Sequence, residues 1–167
     1  MGRAKALIEI DGAPMVDRTA AVLSVGGCRP VVAIGPDHLT GGVATVVDRF
    51  PGDGPLGAII TALEHAVLIG ADAAFVVACD LPELDAATVA GLLDARSAHH
   101  ERRLLTIAVA DRREPLVAIW STGCLAPLRI CFDAGERSVY RAIDSIAEIV
   151  ALEVAVDAQR VRNVNTP

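Results

Sequence analysis

The sequence is poor in aromatic residues and has no long apolar run. Aromatic side chains make up 3% of the 167 residues, although 53% of the residues are hydrophobic. A membrane-spanning helix needs about 18 or more consecutive apolar residues, and charges such as Asp72 and Asp80 interrupt the apolar stretches before that length. The N-terminus also lacks the apolar core and the small-residue cleavage site of a signal peptide. We therefore expect a cytoplasmic protein that has no membrane partner.

Clusters of positive charge are absent too. The formal net charge is −6, with 15 Lys and Arg against 21 Asp and Glu, and the pairs Arg102-Arg103 and Arg112-Arg113 stand apart. Proteins that bind nucleic acid contact its phosphates through clustered Lys and Arg, so nucleic acid is not an expected partner. The four cysteines and four histidines lack the spacing of a zinc site, so we expect reduced, buried cysteines.

Three common catalytic motifs are missing as well. The sequence has no Gly-x-Ser-x-Gly elbow, no Gly-x-x-x-x-Gly-Lys-Ser/Thr loop and no Gly-x-Gly-x-x-Gly after a predicted strand. These motifs carry the nucleophile of α/β-hydrolases, the phosphate loop of P-loop NTPases and the dinucleotide site of many oxidoreductases. None of these three classes therefore has support in the sequence.

What the sequence does contain is an alternation of short apolar runs with helical patterns. The apolar runs predict strands at 30–35, 43–47, 73–79, 104–110, 116–120 and 149–156. Helical spacing covers 15–25, 56–69, 85–95, 123–132 and 138–146. Such alternation indicates parallel strands joined by right-handed crossovers. We predict one α/β domain over residues 1–167, a three-layer α/β/α sandwich with a mostly parallel sheet.

Polar or glycine-containing segments follow two of the predicted strands. Asp48 and then Gly54-Pro55-Leu56-Gly57 come after the run 43–47, and Asp80 ends the run 73–79. Ligands of open α/β sheets bind beyond the carboxyl ends of the strands. We therefore expect these segments to meet at one edge of the sheet.

Asp80 is the strongest single candidate. A carboxylate on the turn after a buried strand is held rigidly and suits Mg²⁺, which prefers oxygen ligands. The alternative is an Asx turn that only caps backbone N–H groups ahead of Pro82. Asp48 also has two possible roles. It could accept hydrogen bonds from a guanine edge or a ribose, or it could be a surface acid at a strand end.

Two glycine-containing segments could bind a nucleotide. Lys5 lies near Gly2, where its ammonium could hold a triphosphate as a point charge or be a solvated surface group. Gly54, Pro55 and Leu56 open a helix, and glycine there allows a ligand to approach the backbone N–H groups closely. An ordinary helix start is the alternative for this second segment.

The end of the chain offers a third candidate site. Asn163 and Asn165 flank a valine in an extended segment, so their side chains point the same way and suit a polar ligand such as a pterin or its phosphate. Arg137 could present its guanidinium to a phosphate. The alternatives are a polar tail and a solvated loop.

Taken in order, these motifs resemble the molybdenum cofactor guanylyltransferase family of MobA-like nucleotidyltransferases. The resemblance spans the chain and rests on these segments: Met1-Gly2 to Lys5-Ala6-Leu7, Asp48, Gly54-Pro55-Leu56, Cys79-Asp80-Leu81-Pro82 and Asn163-Val164-Asn165-Thr166-Pro167. It implies the Rossmann-like sheet of the nucleotidyltransferase type. The family's first strand and its Leu-Ala-Gly-Gly loop have no counterpart in the sequence, so we expect a domain that lacks them.

The resemblance implies transfer of GMP from GTP to molybdopterin, with Mg²⁺ as cofactor and pyrophosphate as by-product. The implied catalytic residues are Lys5 and Asp80, with Asp80 as the Mg²⁺ ligand. The implied nucleotide-binding residues are Gly2, Lys5, Asp48, Gly54, Pro55, Leu56 and Asp80, and the implied pterin-binding residues are Arg137, Asn163 and Asn165. GTP and molybdopterin are then the expected partners, with transient contact with molybdoenzyme-maturation proteins.

Two alternatives stay open at this point. The first is a related nucleotidyltransferase that uses another base or acceptor, such as a molybdopterin cytidylyltransferase. The second is an N-terminally truncated, catalytically impaired binding protein that keeps the fold and the pterin site.

Overall fold

The structure is a computed structural model that describes residues 8–10, 12–36, 42–99, 101 and 103–163. The first part of the chain holds four short strands and two helices: β1 (Glu9–Ile10), β2 (Ala13–Pro14), α1 (Met15–Val25), β3 (Val32–Gly35), β4 (Ala44–Val47) and α2 (Pro55–Leu68). Strands β1 and β2 form an antiparallel hairpin. Strands β3 and β4 pair in parallel as a separate two-stranded sheet.

The second part of the chain builds a larger sheet. Its elements are β5 (Ala73–Val77), α3 (Ala86–Ser97), β6 (Leu104–Val109), β7 (Arg113–Ser121), α4 (Leu125–Asp133), α5 (Val139–Ser145) and β8 (Val150–Ala155). A short 3₁₀ turn, Thr122–Cys124, connects β7 to α4. The four strands are arranged in the order β5-β7-β6-β8. Strand β7 is antiparallel to both of its neighbours, whereas β6 and β8 are parallel.

The predicted three-layer α/β/α sandwich is confirmed. One apolar cluster lies between the larger sheet and helices α2, α4 and α5, and it includes the buried Ile60, Trp120 and Leu128. A second cluster lies on the other face, where Leu23 of α1 and Val89 of α3 pack on the sheet. Helices on both faces of one sheet define this architecture.

Strand β7 accounts for the difference between the predicted mostly parallel sheet and the observed mixed one. The turn between β6 and β7 comprises only residues 110–112. Parallel neighbours need a crossover of about a dozen residues or more, so a turn this short forces an antiparallel pair. The strand begins at Arg113 rather than at the predicted residue 116.

Local sequence signals fix the helix starts near the carboxyl ends of the strands. Asp85 precedes α3, and its Oδ1 accepts a hydrogen bond from the Thr88 backbone N–H at 2.8 Å. That bond lowers the pKa of Asp85, as expected for a carboxylate that is an acceptor at a helix N-terminus. Helix α2 begins with Pro55 in its first turn, directly after Gly54 at a φ of +81°. Glycine is favoured in this left-handed region.

The two sheets are not joined by strand pairing in the described part of the chain. A cavity of about 530 Å³ separates β3 from β5. Helix α2 contacts both of these strands, and α1 packs on α3. None of the described helices is long and apolar enough to cross a membrane.

Candidate active site

A second cavity, of about 330 Å³, opens at the carboxyl end of β5. Its lining includes Ala78 beyond β5, Pro55 at the start of α2, Arg137 before α5 and Asn163 in the tail. Pro55 of the predicted nucleotide loop therefore borders one space with Arg137 and Asn163. The other predicted site residues that the structure describes do not line this cavity; they are Asp48, Gly54, Leu56 and Asp80. The loop before α2 and the turn after β5 thus both contribute to this wall, through Pro55 and Ala78.

Asp80 lies in the turn after β5 and lines neither of the two cavities, although its chain neighbours do. Ala78 and Leu81 line the 330 Å³ cavity, and Cys79 lines the 530 Å³ cavity. The backbone N–H of Ala78 still donates to the Leu116 carbonyl at 3.0 Å, and Leu81 is buried in the core. Both ends of the turn are thus anchored, while Asp80 itself is half-buried and retains access to solvent.

Asp48 connects the end of the smaller sheet to helix α2. Its backbone N–H donates to the Gly35 carbonyl at 2.9 Å. Its Oδ1 accepts hydrogen bonds from the Phe50 backbone N–H at 3.0 Å and from the Thr61 hydroxyl at 3.2 Å. Because a carboxylate offers about four acceptor sites, Asp48 can hold this turn and still accept a hydrogen bond from a ligand.

The loop before α2 is shaped by contacts of its own backbone. Gly54 and Pro55 are exposed, whereas the Leu56 side chain is fully buried in the core, so only the backbone of Leu56 could contact a ligand. A Cβ atom at Gly57 would lie 2.7 Å from the Cβ of Phe50. This close approach, which the sequence did not reveal, lets the loop lie directly on the first turn of the helix.

Arg137 is exposed, yet several contacts hold its side chain in place. Its Nε donates to Asp53 Oδ1 at 3.2 Å, and its Nη1 donates to the Phe132 carbonyl at 2.7 Å and to the Glu136 carbonyl at 3.0 Å. The guanidinium carbon lies 3.9 Å from the centroid of the Phe132 ring, within range of a cation–π interaction. Arg137 thus links the loop before α2 to the turn before α5.

Glu136 organises the turn that carries Arg137. Its carboxylate accepts hydrogen bonds from the Arg141 guanidinium at 2.9 Å, from the Ser138 N–H at 2.7 Å and from the Arg137 N–H at 2.8 Å. The hydrogen bonds from Arg141, followed by those from the backbone, lower the pKa of Glu136 to about 2. The turn therefore keeps a negative charge that orders its backbone.

The tail reaches the cavity because the residues before it are anchored. Val161 is buried in the core. Arg160 Nε lies 3.2 Å from Asp85 Oδ2, and its Nη1 donates to the Glu83 carbonyl at 3.4 Å. Asn163 follows, exposed and at the cavity wall.

The sequence analysis missed four polar residues of this cavity: Arg112, Glu114, Ser138 and Tyr140. Arg112 Nε donates to Glu114 Oε1 at 3.3 Å, and the Tyr140 hydroxyl donates to the Arg113 carbonyl at 2.9 Å. The antiparallel direction of β7 brings the charged turn to this edge of the sheet. The available signal was the Arg112-Arg113 pair where a very short turn meets β7.

Three predicted site residues, Gly2, Lys5 and Asn165, lie outside the described residues. Within the described ranges, no group of three or more His, Cys, Asp or Glu side chains could hold a metal ion. Mg²⁺ is commonly bound through one or two carboxylates plus substrate phosphates and water. Asp80 therefore fits a Mg²⁺ ion that arrives with a nucleotide better than one held by protein ligands alone.

Curated proteins resemble this chain over its whole length. A protein of Opitutus terrae named "Probable molybdenum cofactor guanylyltransferase" is 32% identical over 174 residues, which cover 100% of this chain and 85% of that protein. The "Molybdenum cofactor guanylyltransferase" of Pseudomonas entomophila is 29% identical and covers 99% of this chain, with 86% of its own length matched.

Solved structures share the fold at lower identity. The molybdopterin-guanine dinucleotide biosynthesis protein A of Archaeoglobus fulgidus has a TM-score of 0.68 and 18% identity, over 99% of this chain and 86% of that chain. The 2-C-methyl-D-erythritol 4-phosphate cytidylyltransferase of Thermus thermophilus has a TM-score of 0.72 and 12% identity, over 98% of this chain and 88% of that chain.

A family model described as the MobA-like NTP transferase domain matches residues 1–149. The match includes both strands of the smaller sheet, the loop before α2, Asp80 and Arg137. The family resemblance suggested by the sequence motifs is confirmed. The chain is a nucleotidyltransferase and belongs to the MobA-like NTP transferase domain family.

Proposed function

We propose that this chain transfers GMP from GTP to molybdopterin and releases pyrophosphate. The observation that carries the proposal is that Pro55, of the loop before α2, borders the same 330 Å³ cavity as Arg137 and Asn163, the two described residues of the proposed pterin site. Relatives named molybdenum cofactor guanylyltransferase match nearly the whole chain, which supports these two substrates.

The proposed reaction needs no nucleophile from the protein. An oxygen of the molybdopterin phosphate attacks the α-phosphorus of GTP and forms the new P–O bond. The bond from the α-phosphorus to the oxygen that bridges to the β-phosphate breaks, and its electron pair leaves with pyrophosphate. The protein contributes by aligning the two substrates and by balancing the charge that develops on the phosphates.

Asp80 is the proposed ligand of Mg²⁺, and Lys5 is proposed to contact the same triphosphate. When bound, Mg²⁺ neutralises charge on the phosphate oxygens. Asp80 would hold its carboxylate at the cavity edge because the turn is anchored on both sides by Ala78 and Leu81.

The nucleoside is assigned to the loop before α2. Asp48 would accept hydrogen bonds from the guanine edge or the ribose while its Oδ1 keeps the contacts to Phe50 and Thr61. Gly54 has no side chain that would separate a ligand from the backbone. Gly2 and the backbone N–H of Leu56 complete the proposed nucleotide site.

The pterin is assigned to the opposite wall. Arg137 would direct its guanidinium toward the acceptor phosphate, and Asn163 and Asn165 would donate and accept hydrogen bonds at the pterin. Arg112 lines the same cavity, where Glu114 balances its charge. Anionic phosphates are best bound where such groups are already held in position.

The test measures pyrophosphate release by the purified chain with molybdopterin and Mg²⁺, using GTP or CTP in separate reactions. Mass spectrometry of the product identifies the dinucleotide. We expect release with GTP and none when Mg²⁺ is removed by a chelator. Faster release with CTP would point to the cytidylyltransferase alternative. Molybdopterin binding without any turnover would identify a catalytically impaired binding protein.

A further inference from the structure

The guanidinium of Arg137 has only one nitrogen left for a ligand. A guanidinium offers N–H donors on Nε, Nη1 and Nη2. Here Nε donates to Asp53 Oδ1 at 3.2 Å, and Nη1 donates to the carbonyls of Phe132 and Glu136 at 2.7 and 3.0 Å. No described residue accepts a hydrogen bond from Nη2. This edge is therefore what Arg137 can offer in the 330 Å³ cavity that it lines.

The flat face of the same guanidinium rests on an aromatic ring. The guanidinium carbon of Arg137 lies 3.9 Å from the centroid of the Phe132 ring. Phe132 belongs to the last turn of α4 and is only 4% exposed, so its ring is itself fixed by the core. A cation above a ring face is attracted to it, which restricts the tilt of the guanidinium plane.

A second ring supports Phe132 from the loop before α2. The centroids of the Phe50 and Phe132 rings are 4.8 Å apart, at an interplanar angle of 57°, within the range that aromatic pairs prefer. The Phe50 backbone N–H donates to Asp48 Oδ1 at 3.0 Å. The two rings thus connect Asp48, assigned to the nucleoside, with Arg137, assigned to the acceptor phosphate.

Such a connection matters for a reaction between two bound substrates. The rate of transfer depends on how closely the attacking oxygen and the α-phosphorus are aligned. A long side chain that must first be ordered costs binding free energy, whereas one that is held beforehand costs less. Contacts that hold Arg137 before the ligand arrives therefore favour binding of the phosphate in one position.

We propose, on the basis of the proposed function, that Phe132 is a positioning residue for phosphate binding by Arg137. Its buried ring holds the guanidinium with the Nη2 edge available to the phosphate of the acceptor. Phe132 is not part of the cavity lining, so it acts through Arg137 and contacts neither substrate.

Phe132 is a better probe of position than the charged partner of Arg137. Replacing Asp53 would remove a negative charge beside the cavity and would alter the attraction of a phosphate directly. The Phe132 ring is neutral, so its removal changes the support of the guanidinium and leaves the charge of the site unchanged.

The first measurement is the steady-state kinetics of Phe132→Leu with GTP, molybdopterin and Mg²⁺. Leucine keeps an apolar side chain in the core but presents no ring face. We expect the KM for molybdopterin to rise about fivefold, with the KM for GTP near that of the parent. Phe75→Leu is the matched control, because it removes the same ring from the cluster on the other face of the sheet. It should leave both KM values unchanged.

A double-mutant cycle separates positioning from a general loss of packing. Arg137→Gln removes the guanidinium, so adding Phe132→Leu to that variant should not raise the KM for molybdopterin further. A rise of equal size with and without the guanidinium would show that Phe132 acts through the fold alone and would overturn the proposal.

The second measurement needs no turnover. Inorganic phosphate is titrated into the isotope-labelled chain while the Nε–H resonance of Arg137 is followed by NMR. We expect this resonance to be shifted upfield by the ring current in the unmodified chain and to respond to phosphate. Phe132→Leu should lose the upfield shift and bind phosphate about fivefold more weakly, whereas Phe75→Leu should match the parent.

The spectra and the kinetics can fail separately. Absence of the upfield shift in the unmodified chain would overturn the proposal even where Phe132→Leu does not fold, as would an Arg137 resonance that ignores phosphate. Equal phosphate affinities of the parent and Phe132→Leu would overturn it too. A chain that shows the expected spectra but transfers no nucleotide would refute the proposed function and leave the role of Phe132 in place.

Discussion

The hydroxyl of Thr61 lies 3.2 Å from Oδ1 of Asp48, although the two residues are 13 positions apart. The Thr61 hydroxyl oxygen also lies 3.1 Å from the Gly57 carbonyl oxygen and accepts a hydrogen bond from the Arg49 N–H at 3.2 Å. Thr61 is only 2% exposed. A buried hydroxyl in α2 therefore sets the orientation of a carboxylate at the end of the smaller sheet.

Replacement of Thr61 by valine should disturb the proposed nucleotide site without changing its shape. Thr61→Val removes the acceptor of the Arg49 N–H and one of the two donors to Asp48 Oδ1, which costs about 1 kcal/mol of stability. We expect a raised KM for GTP with a smaller change in kcat, because Asp48 loses its support. Thr61→Ser retains the hydroxyl and should stay near the parent in both measurements. Unaltered stability and KM in the valine variant would contradict the positioning role.

Asp80→Asn should remove turnover while leaving the fold intact. The substitution keeps the side-chain size but loses the charge that would hold Mg²⁺, so we expect kcat/KM to fall by about 100-fold or more. Asp94→Asn, at an exposed position of α3, is the matched control and should be fully active. Thermal unfolding should be similar for both variants. Full activity of Asp80→Asn would exclude Asp80 as the metal ligand.

Two glycine-to-alanine substitutions in helices should have opposite effects on stability. A Cβ at Gly57 would lie 2.7 Å from Phe50 Cβ, an atom too close to the backbone to swing away, so Gly57→Ala should destabilise by about 1–3 kcal/mol. A Cβ at Gly91 meets nothing within 4 Å, so Gly91→Ala should stabilise by up to about 1 kcal/mol. Denaturant titration measures both. Equal effects would mean that the loop is free to withdraw from α2.

Glu136 should give the turn before α5 a pH dependence that a glutamine variant lacks. The folded-state pKa of Glu136 is lowered from 4.5 to about 2, so its contribution is complete above the unfolded-state pKa. It is lost as pH falls from about 4.5 through about 2. Melting temperatures of the parent and Glu136→Gln should therefore differ at neutral pH and converge toward pH 2. A difference that stays constant over this range would disprove the assignment.

Much of the fold was predictable because the strands and helices carry strong local periodicity. Helix α1 was predicted with the observed bounds, Met15–Val25, and the apolar run before Asp80 is strand β5. The direction of β7 could have followed from the short turn before it. The tiny hairpin of β1 and β2 was not predicted, since two-residue strands leave almost no pattern in the sequence.

The candidate site was predictable in part. Segments that follow strands in an α/β sheet converge by topology, which is why Pro55 and Asp80 were placed at the same edge. The contacts of Arg137 with Asp53 and Phe132 depend on how α4 meets the loop before α2. Such long-range packing leaves no signature in a single sequence, and the same holds for the location of Tyr140.

The separation of the two sheets has a consequence for how the molecule melts. Since no described backbone ladder connects them, the cooperativity of unfolding depends on helix packing, above all on the fully buried Ile59, Ile60 and Leu63 of α2. Weakening that layer with Ile60→Ala should convert a single heat-absorption peak in calorimetry into two. The residues before α2 would melt first, and the larger sheet would follow at higher temperature.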